Sequence, residues 1–244
     1  MARNDLATAL AEICVMDAPL WRRLEAFVEK QREFRSPFTA AAQQLVDRLK
    51  AGDVGYDAPK LGEDMPPFLL PDQKGRLRGL PDLTKRGPLV ISFNRGHWCP
   101  FCRIELTALA QAHEDFAGLS ATVISIMPDR QQYIGRLPAD VAQRLLILSD
   151  VDNEYALSLG LVMWLGEGMR KLMAEHGVDL AEVNGNDSWC VPVPATFVVD
   201  QHGRVIARTV EADFRKRMSM EDIRSALSAA HMQRVNAASP RHGS

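Results

Sequence analysis

The sequence predicts an α/β protein in which helices flank a central mixed β-sheet and a helical extension precedes that sheet. Two patterns carry this prediction. Between residues 89 and 232, short apolar runs rich in β-branched residues alternate with segments of helical periodicity, which is typical of a partly parallel sheet. Residues 4–51, in contrast, repeat apolar side chains at helical spacing throughout.

The length and composition indicate one large domain with additions. The chain has 244 residues and a formal net charge of −2, so its charge gives no argument for binding to nucleic acid or to an anionic membrane. We expect a helical extension at residues 1–55, an α/β domain at residues 60–232, and a polar, disordered tail at residues 233–244. No apolar run approaches a membrane span and no secretory pattern is visible, so a cytoplasmic location is expected.

The extension is predicted to contain three helices. The first carries an apolar stripe that includes Cys14, which we interpret as a small core residue. Asp17 is the expected cap of the second helix, whose buried face would include Trp21. Ser36 precedes the third helix, and Gly52 ends it. Two roles remain open for the extension: packing on the main domain, or forming a dimer surface.

The main domain is predicted to follow a strand and helix alternation. Its expected elements are a hairpin at 68–77, strands starting at 89, 121 and 145, a helix at 162–176, a hairpin at 197–208 and a helix at 221–232. An acidic cluster at residues 150–153 lacks the glycine and terminal Glu of a calcium loop. Asp152 or Asn153 is therefore expected to cap a helix that begins at Glu154.

Two cysteines lie where the strand that starts at residue 89 gives way to a helix. Cys99 and Cys102 are separated by Pro100 and Phe101, and a proline is well tolerated in the first turn of a helix. A cysteine at a helix N-terminus is stabilised as a thiolate by unpaired N–H groups and by the helix dipole. We therefore expect an exposed attacking Cys99 and a more buried, resolving Cys102.

Neighbouring residues could support this chemistry. Arg95 and Arg103 would add positive potential, and Trp98 would shield the pair on one side. His97 is either a base or hydrogen-bond donor beside the thiolate, or a solvated loop residue. Cys190 is either a third redox cysteine or a buried residue.

Other roles for the cysteine pair are a zinc half-site or inert core packing. Zinc usually takes four protein ligands, and Cys14 and Cys190 are isolated in sequence, so a second ligand pair is missing. No metal and no cofactor is predicted. A Cys-x-x-Cys that follows a strand and opens a helix is instead typical of dithiol redox chemistry.

These residues carry a family resemblance. The segment Trp98–Cys102 resembles the redox centre of the thioredoxin superfamily, and Val193–Asp200 resembles its strand with a cis-proline. The wider pattern, from Pro67 through Arg95–Pro100 to Pro192–Pro194, is similar to the peroxiredoxin-like proteins of the alkyl hydroperoxide reductase and thiol-specific antioxidant (AhpC/TSA) family. The resemblance covers residues 60–230 and implies a thioredoxin-like fold.

The resemblance also implies site residues. Pro194 would be cis, would lie against the sulfurs and would shape the groove where a substrate meets Cys99. Val193 would offer backbone groups to a peptide substrate. The pattern departs from true peroxiredoxins at three positions, where Gly96 replaces a Thr or Ser, Pro194 an Arg and Cys102 a Glu. His97, Arg95 or Arg208 could supply the missing polar groups.

The function expected from this resemblance is reduction of hydrogen peroxide or organic hydroperoxides through a Cys99/Cys102 dithiol–disulfide cycle. A reductant of the thioredoxin or glutathione type would restore the dithiol, and a homodimer is possible. Two alternatives keep the same cysteines: a thioredoxin-like protein disulfide oxidoreductase, and a non-enzymatic redox sensor or interaction module.

Overall fold

A five-stranded mixed sheet forms the centre of the protein. The computed structural model describes residues 2–238. The strands of the chain are β1 Leu69–Pro71, β2 Leu77–Gly79, β3 Leu89–Phe93, β4 Thr122–Met127, β5 Leu146–Ser149, β6 Val162–Trp164, β7 Cys190–Pro192, β8 Ala195–Val199 and β9 Val205–Val210. The sheet has the order β5-β4-β3-β8-β9, with β3, β4 and β5 parallel and β8 and β9 antiparallel. The predicted mixed sheet is confirmed.

Helices surround this sheet, as the sequence predicts. They are α1 Ala2–Cys14, α2 Leu20–Glu33, α3 Phe38–Ala51, α4 Leu80–Thr84, α5 Pro100–Gln111, α6 His113–Gly118, α7 Gln131–Ile134, α8 Ala139–Arg144, α9 Glu154–Ser158, α10 Glu167–Glu175, α11 Leu180–Asn184 and α12 Met220–Ala238, with a 3₁₀ turn at Val151–Asn153. Within residues 2–238, no helix has the length and apolarity that spanning a bilayer requires.

Strand β3 places the redox segment at the centre of the fold. All five of its side chains are buried, because β4 and β8 flank it and helices cover both faces of the sheet. The chain leaves β3 after Phe93 and enters α5 at Pro100. Residues 94–99 therefore lie at the carboxyl edge of the central strand, where α/β sheets commonly hold their ligands.

The three N-terminal helices are present and pack on the main domain. Helices α1 and α2 contact α5, and α3 contacts α10. Two details of the prediction are wrong. Pro19, with no side-chain cap, precedes α2, so Asp17 does not cap it. Trp21 is 61% exposed, because the buried stripe of α2 follows Leu20 and Leu24 and Trp21 lies a quarter-turn away.

Two further boundaries and one helix cap differ in detail from the predictions. The expected helix 162–176 begins as strand β6, which pairs with β7, and α10 starts only after Gly166 at φ +87°. Asn153 occupies the N-cap position of α9, which begins at Glu154 as predicted, but its side chain makes no capping hydrogen bond. The Asp150 carboxylate accepts the backbone N–H groups of Tyr155 and Ala156 instead. Helix α12 continues to Ala238, past the expected end at residue 232, and the rest of the expected tail lies outside the described residues.

Candidate active site

Cys99 occupies the N-cap position of α5, as predicted. Pro100 is the first residue of the helix, where no backbone N–H donor is needed. The backbone N–H of Cys99 donates to the Gly96 carbonyl at 3.1 Å, which closes the turn between β3 and α5. The side chain of Cys99 is completely buried, so the expectation of an exposed attacking cysteine is wrong in this state.

Cys102 lies one helical turn further along α5 and is also buried. Neither cysteine is in a disulfide and their side chains hydrogen-bond to each other, so the structure holds the reduced form of the pair. The backbone N–H of Arg95 donates to the Cys102 sulfur at 3.4 Å. The turn before α5 thus contacts the second sulfur through its backbone.

Arg95 is the cation of the site. Its Nη2 donates to the Cys99 sulfur at 2.9 Å, and its guanidinium packs over the rings of Phe214 at 4.0 Å and Trp98 at 5.3 Å. The residue is only 4% exposed. Its Nε, also buried, has no hydrogen-bond partner within residues 2–238. Arg95 therefore holds one donor on the sulfur and one donor unused beside it.

Arg217 is a second cation that sequence reasoning missed. It precedes α12, its Nη2 lies 3.7 Å from the Cys102 sulfur, and its Nε donates to Glu105 at 2.5 Å. Glu105 also accepts from the hydroxyls of Ser92 and Thr196 at 3.0 and 3.2 Å. Glu105 was the feature of the sequence that could have indicated this cation. A carboxylate buried on the apolar face of α5 needs a buried cation as its partner, but the sequence alone does not identify which one.

These charges set the two thiols apart. Burial by itself would raise the pKa of Cys99, but the hydrogen bond with Cys102 and the charges of Arg95 and Arg217 outweigh it and hold that pKa well below the ordinary value. Burial, the hydrogen bond with Cys99 and the negative charge of Cys99 raise the pKa of Cys102 well above its ordinary value. Cys99 is therefore the sulfur that ionises more readily, and Cys102 the one that keeps its proton longer.

His97 belongs to a separate hydrogen-bonded cluster. The buried carboxylate of Asp129 accepts from the backbone N–H of His97 at 2.8 Å and from its Nδ1 at 2.7 Å. The imidazole stacks on Tyr133, with a centroid distance of 5.9 Å and an interplanar angle of 9°. His97 is thus neither solvated nor directly bonded to a sulfur, and it anchors the turn that carries Arg95.

The chain matches known proteins over most of this α/β region. The family model described as "AhpC/TSA family" matches residues 61–208. The chain belongs to the AhpC/TSA family. A curated relative, peroxiredoxin Bcp of Bacillus subtilis, is 26% identical over 157 residues, which cover 63% of this chain and 82% of the relative. As a peroxiredoxin-like protein, the chain is a thiol-based oxidoreductase.

Solved structures agree with the family on the fold. The peroxidoxin BcpB of Mycobacterium tuberculosis superposes with a TM-score of 0.53 at 23% identity, covering 70% of this chain and 97% of that protein. A yeast mitochondrial 1-Cys peroxiredoxin, described with glutathione/thioredoxin systems, superposes with a TM-score of 0.55 at 14% identity. The match covers 76% of this chain and 83% of that protein. At these identities the likeness shows the thioredoxin-like fold alone.

The structure explains one departure from the family pattern. Gly96 adopts φ +133°, and a Cβ built on it would lie 2.4 Å from the Asp129 Oδ1 and 2.6 Å from the Trp98 Nε1. The peroxiredoxin hydroxyl residue implied at this position therefore cannot fit here. Arg95, not a threonine, supplies the donor nearest the sulfur.

We expect Gly96→Ala to destabilise the protein by about 2 kcal/mol or more, because it adds both backbone strain and a clash. Urea unfolding of the two proteins measures the difference. Gly118→Ala is the matched control, since φ at Gly118 is not positive and no atom lies within 4 Å of its built Cβ. Equal stabilities for the Gly96→Ala variant and the parent protein would contradict the prediction.

Pro194 does not have the predicted geometry. No peptide bond within residues 2–238 is cis, so the expectation of a cis-proline is wrong for this structure. The backbone N–H of Val193 donates to the Leu161 carbonyl at 2.8 Å, and the chain then passes directly from β7 into β8. Trans is also the more stable form of an X–Pro bond. The backbone donor of Val193 is therefore already engaged within the protein.

Three other candidate residues have partners away from the cysteine pair. Arg103 lies close enough to Cys14 for its positive charge to act on that thiol. Burial raises the pKa of Cys14, and the charge of Arg103 partly offsets this rise. Arg208 donates to the Ala58 carbonyl at 3.0 Å. Cys190 lies in β7 opposite Trp164, and its backbone hydrogen-bonds to Asn153 and Ser188. A redox role for Cys190 stays a prediction.

Within residues 2–238, no group of three or more His, Cys, Asp or Glu residues could hold a metal ion.

Proposed function

We propose that this protein reduces hydroperoxides by a Cys99/Cys102 dithiol–disulfide cycle. One observation carries the proposal: Arg95 donates from Nη2 to the Cys99 sulfur at 2.9 Å while its buried Nε has no partner within the described residues. A single guanidinium can therefore stabilise the thiolate and donate to a peroxide oxygen beside it. Planar, multi-donor recognition of this kind is a particular property of arginine.

The first step follows from that arrangement. The Cys99 thiolate attacks the terminal oxygen of the hydroperoxide, an S–O bond forms and the O–O bond breaks. The leaving oxygen takes up a proton and departs as an alcohol or water, and the sulfur becomes a sulfenic acid. Negative charge moves from sulfur to the leaving oxygen, and the fixed cation of Arg95 stabilises it during the transfer.

The second step uses the charge difference between the thiols. Oxidation of Cys99 removes the negative charge that raises the pKa of Cys102, while Arg217 remains 3.7 Å from the Cys102 sulfur. Cys102 then ionises more easily and attacks the sulfenic sulfur. The S–O bond breaks, water leaves, and a Cys99–Cys102 disulfide forms. Two electrons, from one dithiol of the thioredoxin type or from two thiols of the glutathione type, restore both thiols.

The burial of Cys99 favours a peroxide over a protein disulfide as the oxidant. The reduced protein, which meets the oxidant first, leaves none of the Cys99 side chain exposed. A small hydroperoxide needs only a local opening, whereas an attack on a protein disulfide needs the sulfur at a docking surface. The proposal includes a cytoplasmic location, where the thiols would stay reduced, and leaves the homodimer as a prediction.

Stopped-flow tryptophan fluorescence of the fully reduced protein tests the proposal. Trp98 adjoins the site, so its emission should change as Cys99 is oxidised. We expect second-order oxidation by hydroperoxide that is much faster than that of free cysteine. If the protein is oxidised by hydroperoxide no faster than free cysteine is, the peroxidase assignment is contradicted and disulfide exchange is favoured.

The pH dependence of alkylation gives an independent prediction. Alkylation tracks the thiolate fraction, and the pKa of Cys99 lies well below its ordinary value. The rate should therefore reach its plateau at a clearly lower pH than the alkylation rate of free cysteine does, since free cysteine loses about tenfold in rate per pH unit below its pKa of about 8.5. Replacing the cation in Arg95→Met should move the inflection to higher pH. An inflection near 8.5 in the parent protein would contradict the thiolate assignment.

A further inference from the structure

The side chain of Arg95 is held lightly at the redox centre. It donates one hydrogen bond to the Cys99 sulfur, and its guanidinium otherwise packs over the rings of Trp98 and Phe214. Its Nε has no hydrogen-bond partner within residues 2–238. A side chain held in this way keeps its place only if the backbone that carries it is fixed. Whatever fixes the turn at residues 94–99 therefore also fixes the contact between the cation and the sulfur.

The carboxylate of Asp129 holds the middle of this turn. Its Oδ2 accepts from the backbone N–H of His97 at 2.8 Å and from the Nδ1 of the same residue at 2.7 Å. Its Oδ1 lies against Gly96, since a Cβ built there would be 2.4 Å away. The Nε1 of Trp98 lies 2.6 Å from the same built Cβ. Asp129 thus bonds to one residue between Arg95 and Cys99 and packs against another.

Asp129 is itself fixed to the central sheet. The residue is completely buried and follows the end of β4 by two positions. Its backbone carbonyl accepts from the hydroxyl of Ser149, the last residue of β5, at 2.5 Å. The backbone N–H of Asn94, where the turn begins, donates to the Ile126 carbonyl on β4 at 2.9 Å. The carboxylate therefore connects a rigid part of the fold to the turn that carries Arg95.

We propose that Asp129 is a positioning residue for the redox centre, whose carboxylate holds the turn so that Arg95 stays on the Cys99 sulfur. It acts through His97 and the turn rather than on the sulfur directly. Hydrogen bonds to an ionised acceptor are roughly twice as strong as neutral ones, which suits a carboxylate to this role. The inference rests on Cys99 as the nucleophile of the proposed function and adds to it a residue from the loop after β4.

Asp129→Ala separates positioning from a simple charge effect, because the two predict opposite signs. Removing an anion near a thiolate would, by charge alone, lower the pKa of the thiol. Releasing the turn would instead move the Arg95 cation off the sulfur and raise the pKa of Cys99. We expect the inflection of Cys99 alkylation in the reduced variant to lie about one pH unit above that of the parent protein. An unchanged or lower inflection in the folded variant would overturn the proposal.

Two variants of His97 give a test that leaves the buried carboxylate in place. The amide N–H of His97→Asn can still donate to Asp129 from near the position of Nδ1, whereas His97→Leu has no donor there. We expect the inflection of His97→Leu to rise by about half a pH unit, because the backbone bond remains, and that of His97→Asn to stay close to the parent value. If Asp129→Ala does not fold, these variants decide, and equal inflections would overturn the proposal.

Asp150→Ala is the matched control for Asp129→Ala. Asp150 is also buried and its carboxylate also accepts two hydrogen bonds, from the backbone N–H groups of Tyr155 and Ala156, but it anchors α9 instead of the redox turn. We expect Asp150→Ala to lower stability in urea unfolding and to leave the alkylation inflection of Cys99 unchanged. An equal rise in both variants would indicate a general loosening of the fold and would overturn the proposal.

The alkylation measurement needs no peroxide, so it separates failure of the positioning role from failure of the peroxidase assignment. A raised inflection in Asp129→Ala would support the positioning role even if hydrogen peroxide oxidised the parent protein no faster than free cysteine. Fast oxidation of the parent protein together with an unchanged inflection in the variant would overturn the positioning role and leave the peroxidase assignment intact.

Discussion

Cys99→Ser is expected to abolish peroxide-dependent turnover, with a loss of about 10³-fold or more, because serine lacks an ionised nucleophile at neutral pH. Cys102→Ser should permit the first oxidation and then stop, since no second thiol is one turn away to condense with the sulfenic acid. Turnover is measured with an excess of thioredoxin-type reductant. Dimedone labelling with mass spectrometry shows whether the sulfenic acid accumulates at Cys99.

Cys14→Ser is the matched control for this pair. Cys14 is another buried free cysteine, and burial raises its pKa, so it should be inert. Cys190→Ser tests the third redox cysteine separately, and a slower recycling step would support that role. Full turnover in the Cys99→Ser variant would remove the basis of the mechanism.

Arg217→Met is expected to destabilise the protein by about 3–5 kcal/mol, because it leaves a buried carboxylate without its cation. The side chains of Arg217 and Glu105 are 1% and 2% exposed, so bulk solvent does not reach Glu105 to replace the lost partner. The same change removes a positive charge that lowers the pKa of both cysteines. Urea unfolding measures the first effect and the pH profile of alkylation the second.

The double variant Arg217→Met, Glu105→Gln separates these effects. A neutral amide oxygen can still accept from Ser92 and Thr196, so the double variant should recover much of the lost stability. It should not recover the low pKa of Cys99, because the cation is still absent. Arg224→Met breaks the exposed pair with Asp115, whose side chains are 52% and 59% exposed, and should change stability little. A similarly small effect of Arg217→Met would contradict the importance of the buried pair.

The local elements of this protein could be predicted from the sequence. The β-branched run at residues 89–93 predicts the buried strand, and Pro100 predicts the helix start that makes Cys99 an N-cap residue. The alternation of strands and helices predicts a parallel part of the sheet and an antiparallel hairpin after it. These features depend on neighbouring residues, whose periodicity and caps are visible in the chain itself.

Features that depend on long-range pairing were decided only by the tertiary structure. Residues 162–164 form a strand because β7, far along the chain, offers a partner edge. The same is true of the site: Arg217 and Glu105 are 112 positions apart, and no local pattern joins them.

The sequence predicted Cys99 as the nucleophile and Cys102 as its resolving partner, whereas the packing of α12, α5 and β3 determined which cations lie beside them. The electrostatic effect of a cation depends on its distance from the sulfur and on its burial. Both quantities are properties of the folded chain.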